Sequence, residues 1–242
     1  MKKWLALAAT AVLGASLLIS GCGSSTNNAS SSGSKEVLKV AANPVPHAEI
    51  LEQIKPILAK EGVDLQIVEF TDYIQPNMAL SSHEVNANFF ANVPYQNNYN
   101  KDHGTNFVSF APVHIEPLAI YSQKIKDLKD LPNGAKVAIP SDPTNSARAL
   151  LLLQSAGLVT LKDPTGLTNT PFDVTSNPKN IQIVELEAAQ IPRSIQDLDA
   201  AVINANYALP AGLNPTKDGL FVEKADSPYA NLLSVNPGDE NK

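Results

Sequence analysis

The residues of this chain best suited to binding chemistry stand where a predicted strand gives way to a long predicted helix. Ser141, Asp142, Thr144 and Asn145 lead into this helix, and Arg148 follows one turn later. The first turn of a helix has free backbone N–H groups and a partial positive charge, so it favours an anion. A guanidinium adds parallel donors that fit a carboxylate. This segment therefore predicts a carboxylate site, with a surface arginine on a capped helix as the alternative.

Asparagines flank two other apolar runs. Asn204 and Asn206 come directly after Val202 and Ile203, and Asn231 leads into the last predicted strand. Side-chain amides are costly inside a protein unless they are hydrogen-bonded, and their oxygens accept from an ammonium group. We interpret these asparagines as candidates for the amino end of a zwitterion. The alternative is ordinary turn chemistry.

Aromatic residues are concentrated between residues 73 and 99, where they alternate with asparagines. The members of this group are Tyr73, Phe89, Phe90, Tyr95 and Tyr99. Rings interleaved with amides suit an apolar ligand that has polar ends. The alternative is that the rings belong to the core and the asparagines to turns and caps.

The sequence shows no set of residues that indicates catalysis or metal binding. The chain has four histidines. Only His114 has a carboxylate at strand spacing, Glu116, whereas a transition-metal site needs three or four convergent ligands. The motifs of serine hydrolases, P-loop proteins and dinucleotide-binding folds are also absent. We therefore predict no catalytic residues, no metal site and no cofactor.

Strands and helices alternate along the chain in an order that would position these groups. Strands are predicted at residues 37–41, 63–70, 107–113, 118–121, 136–139, 181–186, 200–203 and 232–235, and helices at 46–61, 145–156 and 195–198. Residues 163–180 are predicted to form a long surface loop. A strand, a helix and a strand in close succession favour a parallel crossover and an α/β fold. In such folds ligands bind at the carboxyl ends of strands.

The N-terminal segment resembles a bacterial secretory signal that ends in a lipobox. Two lysines precede an apolar stretch, which closes with Gly21 and Cys22, the only cysteine. In signals of this kind the cysteine is acylated and becomes the first residue after cleavage. We predict a signal peptide at 1–21 and a lipidated Cys22 followed by a flexible linker to residue 35. A retained membrane helix is the alternative, but no charged stop-transfer segment follows the stretch.

The charge balance restricts the partners of the chain. Its formal net charge is −6, and its basic residues form no long run. Binding to nucleic acid requires clustered lysines and arginines that neutralise phosphates, so we predict no nucleic-acid partner. Without the signal, about 220 residues remain, enough for one large domain or two small ones.

Taken in order, the segments above resemble the methionine-binding lipoproteins of the NlpA family of substrate-binding proteins. The resemblance covers nearly all of the mature chain and is carried by residues 44–51, 69–73, 86–90, 94–95, 113–117, 139–145, 148, 185–190, 201–204, 207–208 and 226–231. It implies a two-lobed α/β fold of the type II periplasmic-binding-protein kind, with the ligand in the cleft between the lobes. We predict lobe 1 at residues 36–114 and 206–242, and lobe 2 at 115–205.

The resemblance also implies roles for individual residues. Arg148 would hold the carboxylate of L-methionine, and Asn204 and Asn231 would hold its amino group. The remaining members of the predicted site would surround the side chain or lie near it: Tyr73, Phe90, Asn92, Tyr95 and His114. Many relatives have histidine where this chain has Asn92, so this position departs from the family pattern. The chain also stops at Lys242, where the family continues with a further helix.

The function implied is that of a monomeric, lipid-anchored protein on the extracytoplasmic face of the cell membrane. It would capture L-methionine and hand it to the permease and ATPase subunits of an ABC importer. D-methionine, methionine sulfoxide and a methionine-containing dipeptide are alternative ligands. A surface enzyme and an adhesin are alternatives of a different class.

Overall fold

Short apolar runs form two separate five-stranded sheets, each with helices packed on it. The structure is a computed structural model that describes residues 35–241, except the side chain of residue 111. The predicted signal peptide and Cys22 lie outside these residues. Within residues 35–241, no helix combines the length and the apolar character needed to cross a membrane.

The first sheet has the strand order β2-β1-β3-β12-β4. Its strands are β1 (Glu36–Ala42), β2 (Val63–Glu69), β3 (Ala87–Asn92), β4 (Val108–Ile115) and β12 (Ala230–Val235). β1 is parallel to both β2 and β3, whereas β12 is antiparallel to β3 and β4. The last strand of the chain therefore returns to the sheet that the first strand begins.

The second sheet has the order β11-β5-β10-β6-β9. Its strands are β5 (Ala119–Tyr121), β6 (Lys136–Pro140), β9 (Gln182–Leu186), β10 (Ala200–Ile203) and β11 (Phe221–Val222). β6 is parallel to β9 and β10, and β5 is antiparallel to β10 and β11. The two sheets confirm the predicted α/β fold with two lobes.

The second lobe extends further along the chain than we predicted. We assigned residues 206–242 to lobe 1, but β11 pairs with β5 of the second sheet. Residues as far as Val222 therefore belong to lobe 2, and the chain returns to lobe 1 only before β12. β11 has two residues, too few to give a strand pattern in the sequence.

Successive strand residues point to opposite faces of a sheet, and central strands of both sheets have buried residues on both faces. In the second sheet, Val137 and Ile139 belong to one apolar cluster, while Ala138 between them belongs to another. In the first sheet, the neighbours Val40 and Ala41 likewise belong to two different apolar clusters. β10 and residues 137–139 of β6 consequently form continuous apolar runs in the sequence.

Seven helices and a small hairpin complete the described part of the chain. The helices are α1 (Glu49–Lys60), α2 (Gln75–Ser81), α3 (Val93–His103), α4 (Pro143–Ser155), α5 (Ile191–Ser194), α6 (Ala205–Ala208) and α7 (Pro215–Asp218), and the hairpin pairs β7 (Thr160–Leu161) with β8 (Val174–Ser176). Our prediction of one long loop at 163–180 is wrong, because this range contains a 3₁₀ turn and β8. Residues 195–197 form a 3₁₀ turn in place of the short helix we predicted.

The two main predicted helices are present with shifted starts. α1 begins at Glu49, after an irregular turn at Pro44–Ala48, and it contains Pro56. α4 begins at Pro143, where proline fits because the first turn needs no N–H. Asp142 caps α4 by accepting a hydrogen bond from the Asn145 backbone N–H at 2.9 Å. This cap sets the direction in which α4 leaves the end of β6.

Replacing Leu150 of α4 with alanine should lower the free energy of unfolding by about 2–5 kcal/mol, because it leaves a cavity in a closed core. The Leu150 side chain is fully buried in the cluster on one face of the second sheet. Ile57→Ala on the exposed side of α1 should change this energy by no more than about 0.5 kcal/mol. Chemical denaturation measures both variants, and equal losses would contradict this account of the core.

Candidate ligand-binding site

A cavity lies between the two sheets, and its wall combines residues of both lobes. We call it the central cavity. It is lined by His47, Tyr73, Phe90, Ala91, Asn92, Tyr95, Glu116, Asn145, Arg148, Asn204, Ala205, Asn206 and Asn231. The empty space, counted with the part open to solvent, is about 360 Å³.

Seven of the eight residues predicted for the site reach this wall, and His114 does not. His114 lies behind it, with its Nε2 2.8 Å from Glu116 Oε1. Asn206, which the sequence offered as a candidate for the amino end of a ligand, also lines the cavity, whereas His47, Glu116 and Asn145 were not among the predicted site residues. All three fall within segments that were singled out from the sequence, so the sequence indicated the segments but not these residues.

Arg148 is buried and ion-paired, so the alternative of a surface arginine is wrong. Its Nε donates to Glu223 Oε1 at 3.0 Å and its Nη2 to Glu223 Oε2 at 2.5 Å. Nη2 also donates to the Glu116 carbonyl at 2.8 Å, and the guanidinium lies 4.3 Å from the centre of the Tyr229 ring. Nη1 has no partner within residues 35–241. The remaining donor is thus held in place beside the central cavity.

Asn204 follows β10 and is 8% exposed. Its Nδ2 donates to Asn145 Oδ1 at 2.9 Å. The Oδ1 of Asn204 is buried, and no donor for it exists within the described residues. A buried acceptor without a donor is costly, so this oxygen is available to a ligand in the central cavity.

Asn231 stands at an irregularity of β12. The pairing of β12 shifts register next to Asn231 on both of its neighbours, β3 and β4. Such a bulge re-aims a side chain away from the regular alternation. Asn231 Oδ1 lies 3.4 Å from His47 Nε2, and its Nδ2 has no partner within residues 35–241.

Glu116 is held between two histidines. Its Oε1 lies 3.0 Å from His47 Nε2 and 2.8 Å from His114 Nε2. Burial alone would raise the pKa of the Glu116 carboxyl, but the hydrogen bonds and charges of the two histidines lower it to about 2. Glu116 is therefore a carboxylate at neutral pH.

These three residues are the one group within residues 35–241 whose side chains converge closely enough to surround a metal ion, with ligand atoms within 4.8 Å of one another. Metal-binding histidines nearly always donate their second ring N–H to a partner. Here Nδ1 of both His47 and His114 is buried without a described partner. The nitrogen–oxygen distances are those of hydrogen bonds, so we describe the group as a hydrogen-bond network.

Tyr73, Phe90 and Tyr95 form one side of the central cavity. The Tyr73 ring centre lies 5.9 Å from that of Phe90 and 5.8 Å from that of Tyr95. The Tyr73 hydroxyl donates to Asn206 Oδ1 at 2.6 Å, and burial raises its pKa, so it stays protonated.

The aromatic residues of this segment divide between the core and the central cavity. Phe89 is buried in the core of lobe 1, whereas its neighbour Phe90 lines the central cavity. Both lie on β3, where adjacent side chains point to opposite faces. Tyr99 of α3 also belongs to the core.

Two α/β lobes, with polar and aromatic side chains from both around one cavity, define a two-lobed ligand-binding protein. Comparison with known proteins agrees with this class. A nutrient-binding protein from Burkholderia cenocepacia, solved with methionine bound, is 46% identical with a TM-score of 0.82 over 85% of this chain and 87% of that one. A periplasmic substrate-binding protein of an ABC transporter from Coxiella burnetii is 44% identical with a TM-score of 0.81 over 85% and 87%. These neighbours confirm the predicted periplasmic-binding-protein fold.

Sequence comparison names the family. The D-methionine-binding lipoprotein MetQ of Salmonella typhimurium is 44% identical over 99% of this chain and 87% of its own length. The profile of the NlpA lipoprotein family matches residues 38–242. The chain belongs to the NlpA lipoprotein family.

Between about pH 2 and pH 4.5 the stability of the protein should rise with pH through Glu116. Its pKa is about 2 in the folded chain against an ordinary value of 4.5, so the unfolded chain binds more protons in this window. The wild type should therefore exceed Glu116→Gln in free energy of unfolding above pH 4.5, with the difference fading toward pH 2.

Urea denaturation at a series of pH values measures this difference. Glu84→Gln, an exposed change of the same chemistry, is the matched control and should track the wild type. A difference for Glu116→Gln that does not depend on pH would contradict the ion-pair account.

Proposed function

We propose that this protein captures methionine in the central cavity and delivers it to an ABC importer. The observation that carries the proposal is the set of unsatisfied polar atoms around that cavity. A donor on Arg148 and an acceptor on Asn204 both lack partners within residues 35–241, beside a wall of aromatic rings. A zwitterion with an apolar tail would pair with the donor through its carboxylate and with the acceptor through its ammonium group. Its tail would contact the rings.

For the carboxylate we propose Arg148 Nη1 together with Asn231 Nδ2. Glu223 fixes the rest of the guanidinium, so Nη1 is preorganised for an anionic oxygen. His47 Nε2 faces both Glu116 Oε1 and Asn231 Oδ1, and a proton on this nitrogen suits both oxygens. The free group of Asn231 is then a donor. This differs from our sequence prediction, which gave Asn231 to the amino end of the ligand.

For the ammonium group we propose Asn204 Oδ1 and Glu116. Asn204 offers a buried acceptor. The Oε2 of Glu116 has no described partner and belongs to the carboxylate that lines the central cavity. A carboxylate and an amide oxygen supply both the charge and the acceptors that an ammonium group requires.

For the thioether tail we propose Tyr73, Phe90 and Tyr95. Sulfur is polarizable and gains about 0.3–1.5 kcal/mol from contact with an aromatic ring. Asn92 caps α3 through its Oδ1, which accepts from the Tyr95 backbone N–H at 3.0 Å. The Nδ2 of Asn92 has no described partner, so we propose that it contacts the thioether end of the ligand. His114 acts only through Glu116.

The relatives support the choice of ligand and of transport role. They include proteins named as D-methionine-binding and as ABC-transporter substrate-binding proteins, and one was solved with methionine. By analogy we propose a monomer anchored through Cys22 to the outer face of the cell membrane, which docks on permease and ATPase subunits. We propose no catalytic role and no cofactor.

Identifying the ligand that co-purifies with the protein tests the proposal directly. The protein is denatured, and the released compounds are analysed by mass spectrometry and chiral chromatography. We expect methionine. A sugar, or no ligand followed by no thermal stabilisation with any amino acid, would overturn the proposal.

A thermal-shift panel of L-methionine, D-methionine, methionine sulfoxide and a methionine dipeptide then decides between the ligands. At 100 times its Kd, a ligand adds about 2.7 kcal/mol to the stability of the folded protein. We expect the largest shift from L-methionine. A larger shift from D-methionine would assign the site to that stereoisomer, and an equal shift would show that the site does not distinguish the two.

Arg148→Ala should weaken methionine binding by about 10- to 150-fold, the loss expected for one charge-assisted hydrogen bond of about 1.5–3 kcal/mol. Isothermal titration calorimetry measures the Kd. Arg193, the only other arginine, lies exposed on α5, so Arg193→Ala is the matched control and should bind normally.

The double variant Arg148→Ala with Glu223→Gln separates binding from folding. Arg148→Ala alone leaves the Glu223 carboxylate without its partner, which destabilises the fold. The second change removes that charge and should restore stability without restoring affinity. Normal binding by either variant would show that the carboxylate is held elsewhere.

A further inference from the structure

We propose that Asp142 and Asn145 are positioning residues that fix the orientation of the Asn204 amide, so that the central cavity rejects ligands without an α-ammonium group. This inference rests on the proposed function and deepens it. It assigns the preference for an amino acid over its α-keto analogue to two residues for which the proposed function gives no role in contacting the ligand.

The oxygen and nitrogen of a side-chain amide have nearly the same shape, so packing alone does not choose between its two orientations. The choice matters here because the two orientations offer a ligand opposite chemistry. One presents an acceptor that suits an ammonium group, and the other presents a donor that suits a carbonyl oxygen. Hydrogen bonds to neighbouring groups must therefore decide what Asn204 shows to the ligand.

The chain of bonds begins at a group that can only accept. Burial raises the pKa of the Asp142 carboxyl above its ordinary value, but the hydrogen bonds from the Asn145 backbone and side chain favour the carboxylate, and a carboxylate can only accept. Asn145 faces it with Nδ2, at 3.1 Å from Oδ1 and 3.0 Å from Oδ2. This contact forces the Asn145 oxygen to the opposite side, where it accepts from Asn204 Nδ2 at 2.9 Å. The Asn204 oxygen is consequently the atom left without a partner.

The starting point of this relay is fixed to the fold. Asp142 Oδ1 also accepts from the Asn145 backbone N–H at 2.9 Å, as the N-cap of α4. Asn145 is 2% exposed and Asn204 is 8% exposed, so water does not easily replace these bonds. The relay thus ties the amide of Asn204, at the end of β10, to the start of α4.

Asp142→Asn should weaken this control while keeping the cap. The new amide must turn its oxygen to the Asn145 backbone N–H, because asparagine caps helices through this atom. Its NH₂ group then faces Asn145 and favours the Asn145 oxygen. Asn145 turns, and Asn204 turns with it, so that a donor faces the central cavity.

The experiment compares methionine with its α-keto analogue, 4-methylthio-2-oxobutanoate, which keeps the carboxylate and the thioether. We measure both Kd values by calorimetry for the wild type and for Asp142→Asn. In the wild type the keto acid should bind at least about 100-fold more weakly, because its oxygen meets an unpaired acceptor. In the variant, the ratio of the two Kd values should fall by about 10-fold or more, mainly through weaker methionine binding.

Asp127→Asn is the matched control. Asp127 is exposed and caps a 3₁₀ turn through its Oδ1, which accepts from the Lys129 backbone N–H at 2.9 Å. This variant removes the same charge and also replaces an aspartate cap with an asparagine cap. It should keep the wild-type ratio of the two Kd values. Asp142→Ser, which retains a capping hydroxyl, is the second variant if Asp142→Asn does not fold.

The ratio distinguishes positioning from simple loss of structure, since a damaged cavity would weaken both ligands together. An unchanged ratio in a folded Asp142 variant would overturn this inference and leave the proposed function intact. Failure of the wild type to bind methionine would overturn the proposed function, and this inference with it.

Discussion

Burial of the Arg148 guanidinium between the lobes is the constraint on which the rest of the site depends. A buried charge without a partner is strongly destabilising, whereas a well-paired one is tolerated. Glu223 takes two of its N–H groups, the Glu116 carbonyl takes a third, and Tyr229 supplies a ring face. These contacts satisfy most of the guanidinium and leave Nη1 without a described partner, so the arrangement that stabilises the buried charge also leaves a donor beside the central cavity.

The strand order explains why these groups meet. β6 and β10 are parallel neighbours in the second sheet, so the residues that follow them emerge at the same edge. α4, which carries Arg148, follows β6, and Asn204 follows β10. From the other lobe, β3 ends at Asn92 and β12 brings in Asn231 beside it. The central cavity is therefore a consequence of topology, with each lobe contributing the polar ends of its central strands.

Much of the fold and the general location of the site could be predicted from the sequence, because the signals were local. Short segments are enough to predict that Arg148 lies one turn into a capped helix. They are also enough to predict that Asn204 lies at the end of an apolar strand. β3 could not be predicted in this way, because it is buried along its whole length and rich in asparagine, so it lacks strand alternation. The limit of lobe 2 was missed because a two-residue strand, β11, decides it.

The partners of these residues could not be predicted, since they lie far away in the sequence. Glu223 is 75 positions from Arg148, and no spacing rule joins them. The role of Glu116 depends on His47, which comes from the turn before α1. A residue type can indicate that a site is present. The charge state and the orientation of its side chain depend on neighbours that only the fold brings close.

Asn204 and Asn231 show most clearly what residue types leave undecided. Both are asparagines that line the central cavity, and from sequence they are equivalent. Asn231 has its oxygen toward His47, while Asn204 has its nitrogen toward Asn145. One therefore offers a donor and the other an acceptor, because histidine and carboxylate groups beyond them impose opposite polarity. In the function that we propose, these two asparagines recognise the oppositely charged ends of a zwitterion, and they can do so only because the groups behind them differ.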